Sequence, residues 1–290
     1  MSFKDNLFYY GFLLLEKVVF YTPKPLKNLF KKLLTEIFYR FDNKRKKVIK
    51  TNLKLAFGDS LSEEEKRRIV KKTYENFVNN LFEFIEVSKL TKDELKKKVS
   101  FKNEDLIKEK LKNSPVIITS AHFGNWEVAL LAIGAFITPL SGVARDIDNP
   151  KLNQRIKKVR EKFNVKIYNK KGVLKKLIKD LKNGRSVGIL VDQNTARDEG
   201  VDTMFFDKKV LQTPSSALLS KRLNVPVVMA FCEKDGDKWV VNFKEAFVCE
   251  DVQKCVDRQS RIIEEEVRSF PELWYWFHRR FKHYYEEEYE

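Results

Sequence analysis

The stretch Pro115-Val-Ile-Ile-Thr-Ser-Ala-His-Phe-Gly-Asn-Trp-Glu127, continuing through Val128-Ala-Leu-Leu-Ala-Ile-Gly-Ala-Phe136, decides the fold. Residues 115–120 form a short apolar run rich in β-branched side chains, which suits a buried strand. Gly124 permits a tight turn, and Asn125 is a good helix N-cap. Residues 125–136 then read as an apolar helix. A strand that turns sharply into a helix is the opening half of a strand–helix–strand unit.

Further strands are expected at 141–145, 165–168, 186–191, 225–231 and 239–243. Helical stretches fall at 150–163, 172–183, 214–222 and 253–269. Alternating strands and helices imply an α/β domain with a mostly parallel central sheet flanked by helices. In such sheets the site lies at the carboxyl ends of the strands.

The first ~90 residues are helical by their 3.6-residue apolar period. Leu26, Leu29, Phe30, Leu33, Leu34, Ile37 and Phe38 keep that period; Gly58-Asp59 breaks it. Ser62 and Glu65 then form a capping box ahead of Ile69, Val70, Tyr74, Phe77 and Val78. The expected organisation is a membrane anchor at 1–22, a helical region at 23–90 and an α/β domain at 91–290, with 23–290 as one folded unit. The acidic tail Glu286–Glu290 is expected to fray.

Leu7 to Tyr21 is apolar and aromatic, broken by Glu16-Lys17, and followed by Lys24, Lys27, Lys31 and Lys32. It lacks a basic leader region and a small-residue cleavage site, so it does not read as a secretory signal. An aromatic apolar stretch with a basic flank reads as an anchor, lying in the membrane interface or spanning it marginally, with the flank on the cytoplasmic side.

The 290 residues carry 57 Lys+Arg against 41 Asp+Glu, a net charge of +16. Two blocks hold the excess. Residues 24–54 contain eleven cations and two acids, and residues 151–185 contain fourteen and two. Such blocks point to an anionic partner: membrane, acidic protein or nucleic acid. No recognised nucleic-acid motif is present, which leaves that partner the poorest of the three. Three widely spaced cysteines argue against a disulfide framework and for a reducing compartment. Three histidines without metal-ligand spacing give no metal site, and no cofactor is expected.

His122 sits where catalysis is favoured, just past a strand. Glu127 falls in the first turn of the following helix, where a carboxylate favours the dipole and can fold back toward His122. A carboxylate beside an imidazole fixes its tautomer and makes it a general base for a hydroxyl. No Ser or Cys nucleophile is needed when that hydroxyl belongs to the substrate.

His122-Phe-Gly-Asn-Trp-Glu127 resembles the His-x-x-x-x-Asp/Glu motif of glycerolipid-type acyltransferases. With Glu in the last place it is similar to the branch of the late acyltransferases of lipid A biosynthesis. Other segments agree in order. Gly142-Val-Ala-Arg145 with Asp148-Asn149-Pro150 resembles the family's G-x-x-R…DNP segment. Arg160 falls where the branch carries an activity-linked arginine. Ile189-Leu-Val-Asp192-Gln193 resembles its D-Q block, and Pro271 to Phe281 its closing segment ending in HRRF. Trp274 stands where Tyr is usual, and Asn194-Thr195 depart from the common pattern after D-Q.

The resemblance implies transfer of a fatty acyl chain from acyl carrier protein to a hydroxyl of a lipid A precursor or similar membrane glycolipid. It places the enzyme on the cytoplasmic face of the inner membrane, against anionic lipid. His122 would be the base, Glu127 its orienting carboxylate, and Arg160 the cation for the oxyanion or a substrate phosphate. Arg145, Asn125, Asp192 and Gln193 would contact substrate. An acyl-CoA-dependent phospholipid or glycolipid acyltransferase is the alternative; a basic nucleic-acid-binding protein is the remote one. The basic block around Arg160 would meet the acidic carrier protein or the acceptor's phosphates.

Overall fold

The computed structural model describes residues 3–170 and 172–290. Four helices lead: α1 (Phe3–Tyr21), α2 (Lys24–Phe41), α3 (Asn43–Phe57) and α4 (Glu63–Lys89). Their boundaries follow local chemistry. Pro25 sits in the first turn of α2, where its missing N–H costs nothing. The Asp42 side chain caps α3 by accepting from the Arg45 N–H at 3.1 Å. The expected capping box opens α4: Ser62 Oγ accepts from Glu65 N–H at 3.2 Å, and the Glu65 carboxylate accepts from Ser62 N–H at 2.8 Å.

After α5 (Lys92–Lys98) come β1 (Val99–Lys102), α6 (Glu104–Leu111), β2 (Ile117–Ser120), α7 (Trp126–Phe136) and β3 (Leu140–Val143). Then follow α8 (Pro150–Lys162), β4 (Val165–Tyr168), α9 (Val173–Lys182), β5 (Ser186–Leu190), and a hairpin of β6 (Val201–Phe205) and β7 (Lys208–Gln212). The chain continues through α10 (Ser215–Leu223), β8 (Val227–Asp235), β9 (Lys238–Phe247) and α11 (Val252–Ser269). The main sheet has seven strands in the order β1-β9-β8-β2-β5-β3-β4. Five of them, from β8 to β4, run parallel; β9 pairs antiparallel with β8 and parallel with β1. The sheet is thus mostly parallel, with an antiparallel edge, and helices cover both faces.

Which face a helix covers follows from the strand order. Steps from β2 to β3 and from β3 to β4 move one way across the sheet; the step from β4 back to β5 reverses. A right-handed crossover then puts α7 and α8 on one face and α9 on the other. The two cores agree: Val128, Leu131 and Ala132 of α7 pack with Ile156 and Val159 of α8, whereas Leu177 and Leu181 of α9 pack with α10 and α11. The basic block 151–185 is therefore split between opposite faces, flanking the edge strand β4.

Two expectations change, and a third, the anchor at 1–22, is left without a spanning helix. Among the described residues no helix is long and apolar enough to cross a membrane. Instead α1 lies against the body: Val19 is buried with Val78, Phe82 and Ile85, and the buried Glu16 accepts from Arg155 of α8 at 2.8 and 2.6 Å. The Glu16 that interrupts the apolar run is thus paired by the fold. Cys249 and Cys255, both buried, form a disulfide that closes the turn into α11, leaving Cys232 as the free cysteine. It is one short local loop, which an odd cysteine count does not reveal. The acidic tail does not fray: Tyr289 is buried with its hydroxyl on Asn52, and Lys54 pairs with Glu288 at 2.8 Å.

Candidate active site

Strands β2 and β5 are parallel neighbours, with Ser120 opposite Leu190. His122 and Asp192 each lie two residues beyond these partners, so the register alone sets them side by side. The Asp192 carboxylate takes two hydrogen bonds from His122. Oδ1 lies 2.8 Å from Nδ1, and Oδ2 accepts from the main-chain N–H at 3.0 Å. Trp274 Nε1 also donates to Oδ2, at 2.8 Å. Burial would raise the Asp192 carboxyl, but the imidazole and these N–H donors overcome it and hold the group low, at about 2. An ionised Asp192 on Nδ1 requires the proton there. Nε2 is then the basic nitrogen, facing the Gln193 side-chain amide at 3.3 Å.

The turn carrying His122 is clamped from below. Phe123 N–H donates to Ala121 O at 2.8 Å, Gly124 N–H to Leu273 O at 2.9 Å, and Tyr275 N–H to His122 O at 2.9 Å. Gly124 has φ +55°, and a Cβ there would lie 1.7 Å from the carbonyl oxygen of Cys232, so the turn requires glycine. Trp126 and Tyr275 flank the imidazole, ring centroids 5.1 and 6.0 Å away. The ring can hardly leave this slot without breaking its bond to Asp192.

Glu127 does not fold back on His122. It receives a forked ion pair from Arg160, with Nη2 to Oε1 at 2.7 Å and Nε to Oε2 at 3.3 Å. Arg160 is in the last turn of α8 and largely buried, on the same sheet face as α7. Arg's planar fork suits this bidentate geometry. The carboxylate beside the imidazole is thus Asp192, and Glu127 is the seat of Arg160.

The other expected contacts separate. Asn125 caps α7 as its residue type predicts, accepting from Val128 N–H at 3.1 Å, but its amide donates to Glu83 at 2.8 Å. Both ends of that side chain are used inside the fold. Arg145 is exposed and pairs with Asp148 at 2.9 Å, without a contact to His122. At the end of β6, Phe205 and the following Phe206 are buried while Met204 is exposed. Among the described residues Cys232 is the free thiol, and burial, helped by Glu83, pushes it up to about 12, which disqualifies it as a nucleophile.

The closing HRRF segment holds the loop after Asp192. Arg280 is fully buried and donates to Leu211 O at 2.6 Å, Gln193 O at 3.3 Å and the Gln212 side chain at 2.8 Å. Burial lowers its guanidinium to about 10, which leaves it charged. His278 Nδ1 accepts from Asn194 N–H at 3.4 Å, and burial drives it down to about 4. Between pH 6.5 and 4 the unfolded chain binds a proton here that the folded chain refuses, so stability falls as pH falls through that window. The expected loss is up to about 3 kcal/mol, at 1.36 kcal/mol per unit. Thermal unfolding of His278→Gln from pH 7 to 4 should show a shallower decline than wild type.

Comparison with known proteins adds three findings. The family described as bacterial lipid A biosynthesis acyltransferase matches residues 5–283. A lipid A biosynthesis acyltransferase of Haemophilus influenzae is 25% identical over 246 residues, covering 82% of this chain and 78% of its own. A lipid A biosynthesis lauroyltransferase of Escherichia coli is 23% identical over 256 residues, covering 86% and 83%. Among solved structures, the 1-acyl-sn-glycerophosphate acyltransferase PlsC of Thermotoga maritima aligns with TM-score 0.42 and 14% identity, over 86% of this chain and 98% of that one.

Proposed function

Because the chain belongs to the bacterial lipid A biosynthesis acyltransferase family and is an acyltransferase, we propose that it moves a fatty acyl chain from acyl carrier protein to a hydroxyl of a lipid A precursor, with His122 as general base. The observation that carries this reading is the His122–Asp192 bond at two adjacent strand ends. It keeps the proton on Nδ1, so the Nε2 lone pair acts on a hydroxyl once the substrate takes the place of the Gln193 amide. Nε2 takes the proton as the acceptor oxygen attacks the thioester carbonyl. The tetrahedral intermediate collapses, and the leaving thiolate recovers that proton from the imidazolium, so the base is regenerated. Arg160, seated on Glu127, is the cation for the oxyanion, in a position protected from water. Purified chain incubated with acyl carrier protein thioester and a lipid A precursor should transfer the chain. His122→Ala should lose at least a thousandfold in turnover; wild-type turnover in that variant would end the proposal.

The membrane side of this reading is interfacial rather than spanning. Leu7, Phe8, Tyr10 and Leu14 of α1 are exposed, as are Leu26, Leu29, Leu33 and Ile37 of α2. Large apolar side chains exposed along two helices mark a contact surface, and the lysines of α2 supply attraction to anionic lipid. Leu29→Glu with Leu33→Glu should lower binding to anionic vesicles at least tenfold in a flotation assay without changing the unfolding temperature. Undiminished binding would move the contact elsewhere. The carrier protein is assigned to the other basic region, where exposed Lys158, Lys166, Lys175, Lys176, Lys179 and Lys182 flank strand β4. Large exposed apolar residues are sparse there, as expected for a soluble acidic partner.

A further inference from the structure

A cavity of about 770 Å³ lies beside the catalytic turn and takes no part in the chemistry described above. Its floor is Gly124 and Asn125, two and three residues past His122. One wall is α4, which presents Asn76, Asn79, Asn80 and Glu83 on successive turns. A second wall, on the helix packed beside α4, is the inner face of α2, with Lys24, Lys27 and Lys31 spaced three and four apart. The outer face of the same helix carries the exposed leucines assigned to the membrane.

The polar groups in this cavity are unequally satisfied. Lys24 pairs with Asp237 at 3.2 Å and Lys27 with Glu86 at 2.8 Å, and Lys234 pairs with the buried Glu83. Lys31 has no carboxylate within ion-pair distance among the described residues, although it is partly buried; its ammonium lies 5.3 Å from the Phe82 ring. Burial lowers its pKa, with nearby Glu86 and Glu83 opposing. Asn76 and Asn80 donate to the carbonyls of Glu272 and Gly124, at 2.5 and 2.7 Å, and among the described residues no donor reaches their own side-chain oxygens. Asn79 makes no hydrogen bond among the described residues. A cation drawn partly out of water with no carboxylate in direct contact favours an incoming anion. Carboxylates in the same space disfavour a bare phosphate. Together with the half-buried amides of Asn76, Asn79 and Asn80 they are instead the ordinary partners of a polyol.

We infer that this cavity is the headgroup subsite of the acceptor and takes an anionic sugar, with its hydroxyls on the α4 asparagines and its phosphate or carboxylate on Lys31. The inference rests on the reading that the acceptor is a membrane glycolipid. It adds where that lipid's sugar sits: between a membrane-facing helix and the turn that carries the base. With its chains left in the bilayer beside α2, the acceptor would hold its sugar over Gly124, two residues along the turn from His122.

The test uses the full chain, Lys31→Gln and Asn79→Leu. The probe is N-acetylglucosamine 1-phosphate titrated by ligand-observed NMR, with N-acetylglucosamine and inorganic phosphate as separate arms. The sugar phosphate should bind wild type more tightly than either fragment, and at least fivefold more weakly to each variant. Equal binding to all three proteins, no binding at all, or phosphate binding as tightly as the sugar phosphate overturns the site. In the transfer assay both variants should raise the acceptor KM about tenfold and leave the carrier-protein KM unchanged. An unchanged acceptor KM alongside weakened probe binding makes the cavity a site for soluble sugar phosphates and overturns the headgroup assignment. A wild-type chain that transfers nothing overturns the acyltransfer reading instead, while the NMR arms still decide the cavity.

Discussion

Asp192→Asn should lower kcat by roughly four orders of magnitude, the loss expected when the orienting carboxylate of a His–Asp pair becomes an amide. The reason lies in atoms. In the native pair Oδ2 accepts two N–H groups, from His122 and Trp274, and Oδ1 faces Nδ1 of the ring. Asparagine has one oxygen to give. Kept at the Oδ2 position it satisfies both donors, so the fold survives, but it turns NH2 toward Nδ1. That amide donates to Nδ1 and forces the proton onto Nε2. The base is then the wrong tautomer, in the right place, and cannot accept a proton from a hydroxyl. Glu127→Gln should behave differently, because its contact is to Arg160. It loosens a cation without altering the tautomer.

Gly124→Ala should be the most destructive single change to stability. At φ +55° any side chain is strained by about 1–2 kcal/mol. Here the new methyl would also lie 1.7 Å from a main-chain oxygen of β8, which cannot yield as a flexible side chain can. The expected cost exceeds about 4 kcal/mol, in the range that marks a specific steric cause. At roughly 2–4 °C per kcal/mol for chains of this order of size, the unfolding midpoint falls by more than about 8 °C. Gly184→Ala is the control. It shares a positive φ, +79°, but nothing lies within 4 Å of its Cβ, so only the backbone term applies. Similar losses in the two variants, measured by calorimetry, would refute the close approach.

Much of the fold is legible because its signals are local. The run 116–120, the glycine turn and the apolar helix after it need only their own side chains, and the capping box at Ser62 and Glu65 declares itself in four residues. What stayed hidden depends on partners far along the chain. Nothing between residues 120 and 190 announces that β2 and β5 are neighbours, with β3 and β4 displaced outward. The Asp192 contact follows from that order, so the nearer Glu127 drew the role. Arg160 reaches Glu127 from 33 residues away. The β6–β7 hairpin escaped for a different reason. Its turn is made by Phe206 and Asp207, both at positive φ (53° and 56°), without the glycine or Asn-Gly pair that marks such turns. Arg145 shows the reverse case, a motif residue read as a substrate contact that the fold leaves in solvent beside Asp148.

His122 and Asp192 are proposed to act as one unit. Turnover of His122→Ala, Asp192→Asn and the double variant, measured with acyl carrier protein thioester and a lipid A precursor, tests it most directly. Residues that act as a unit are strongly non-additive, so the double variant should be no slower than His122→Ala alone. Losses that multiply in the double variant, or near-wild-type turnover in Asp192→Asn, would contradict the account.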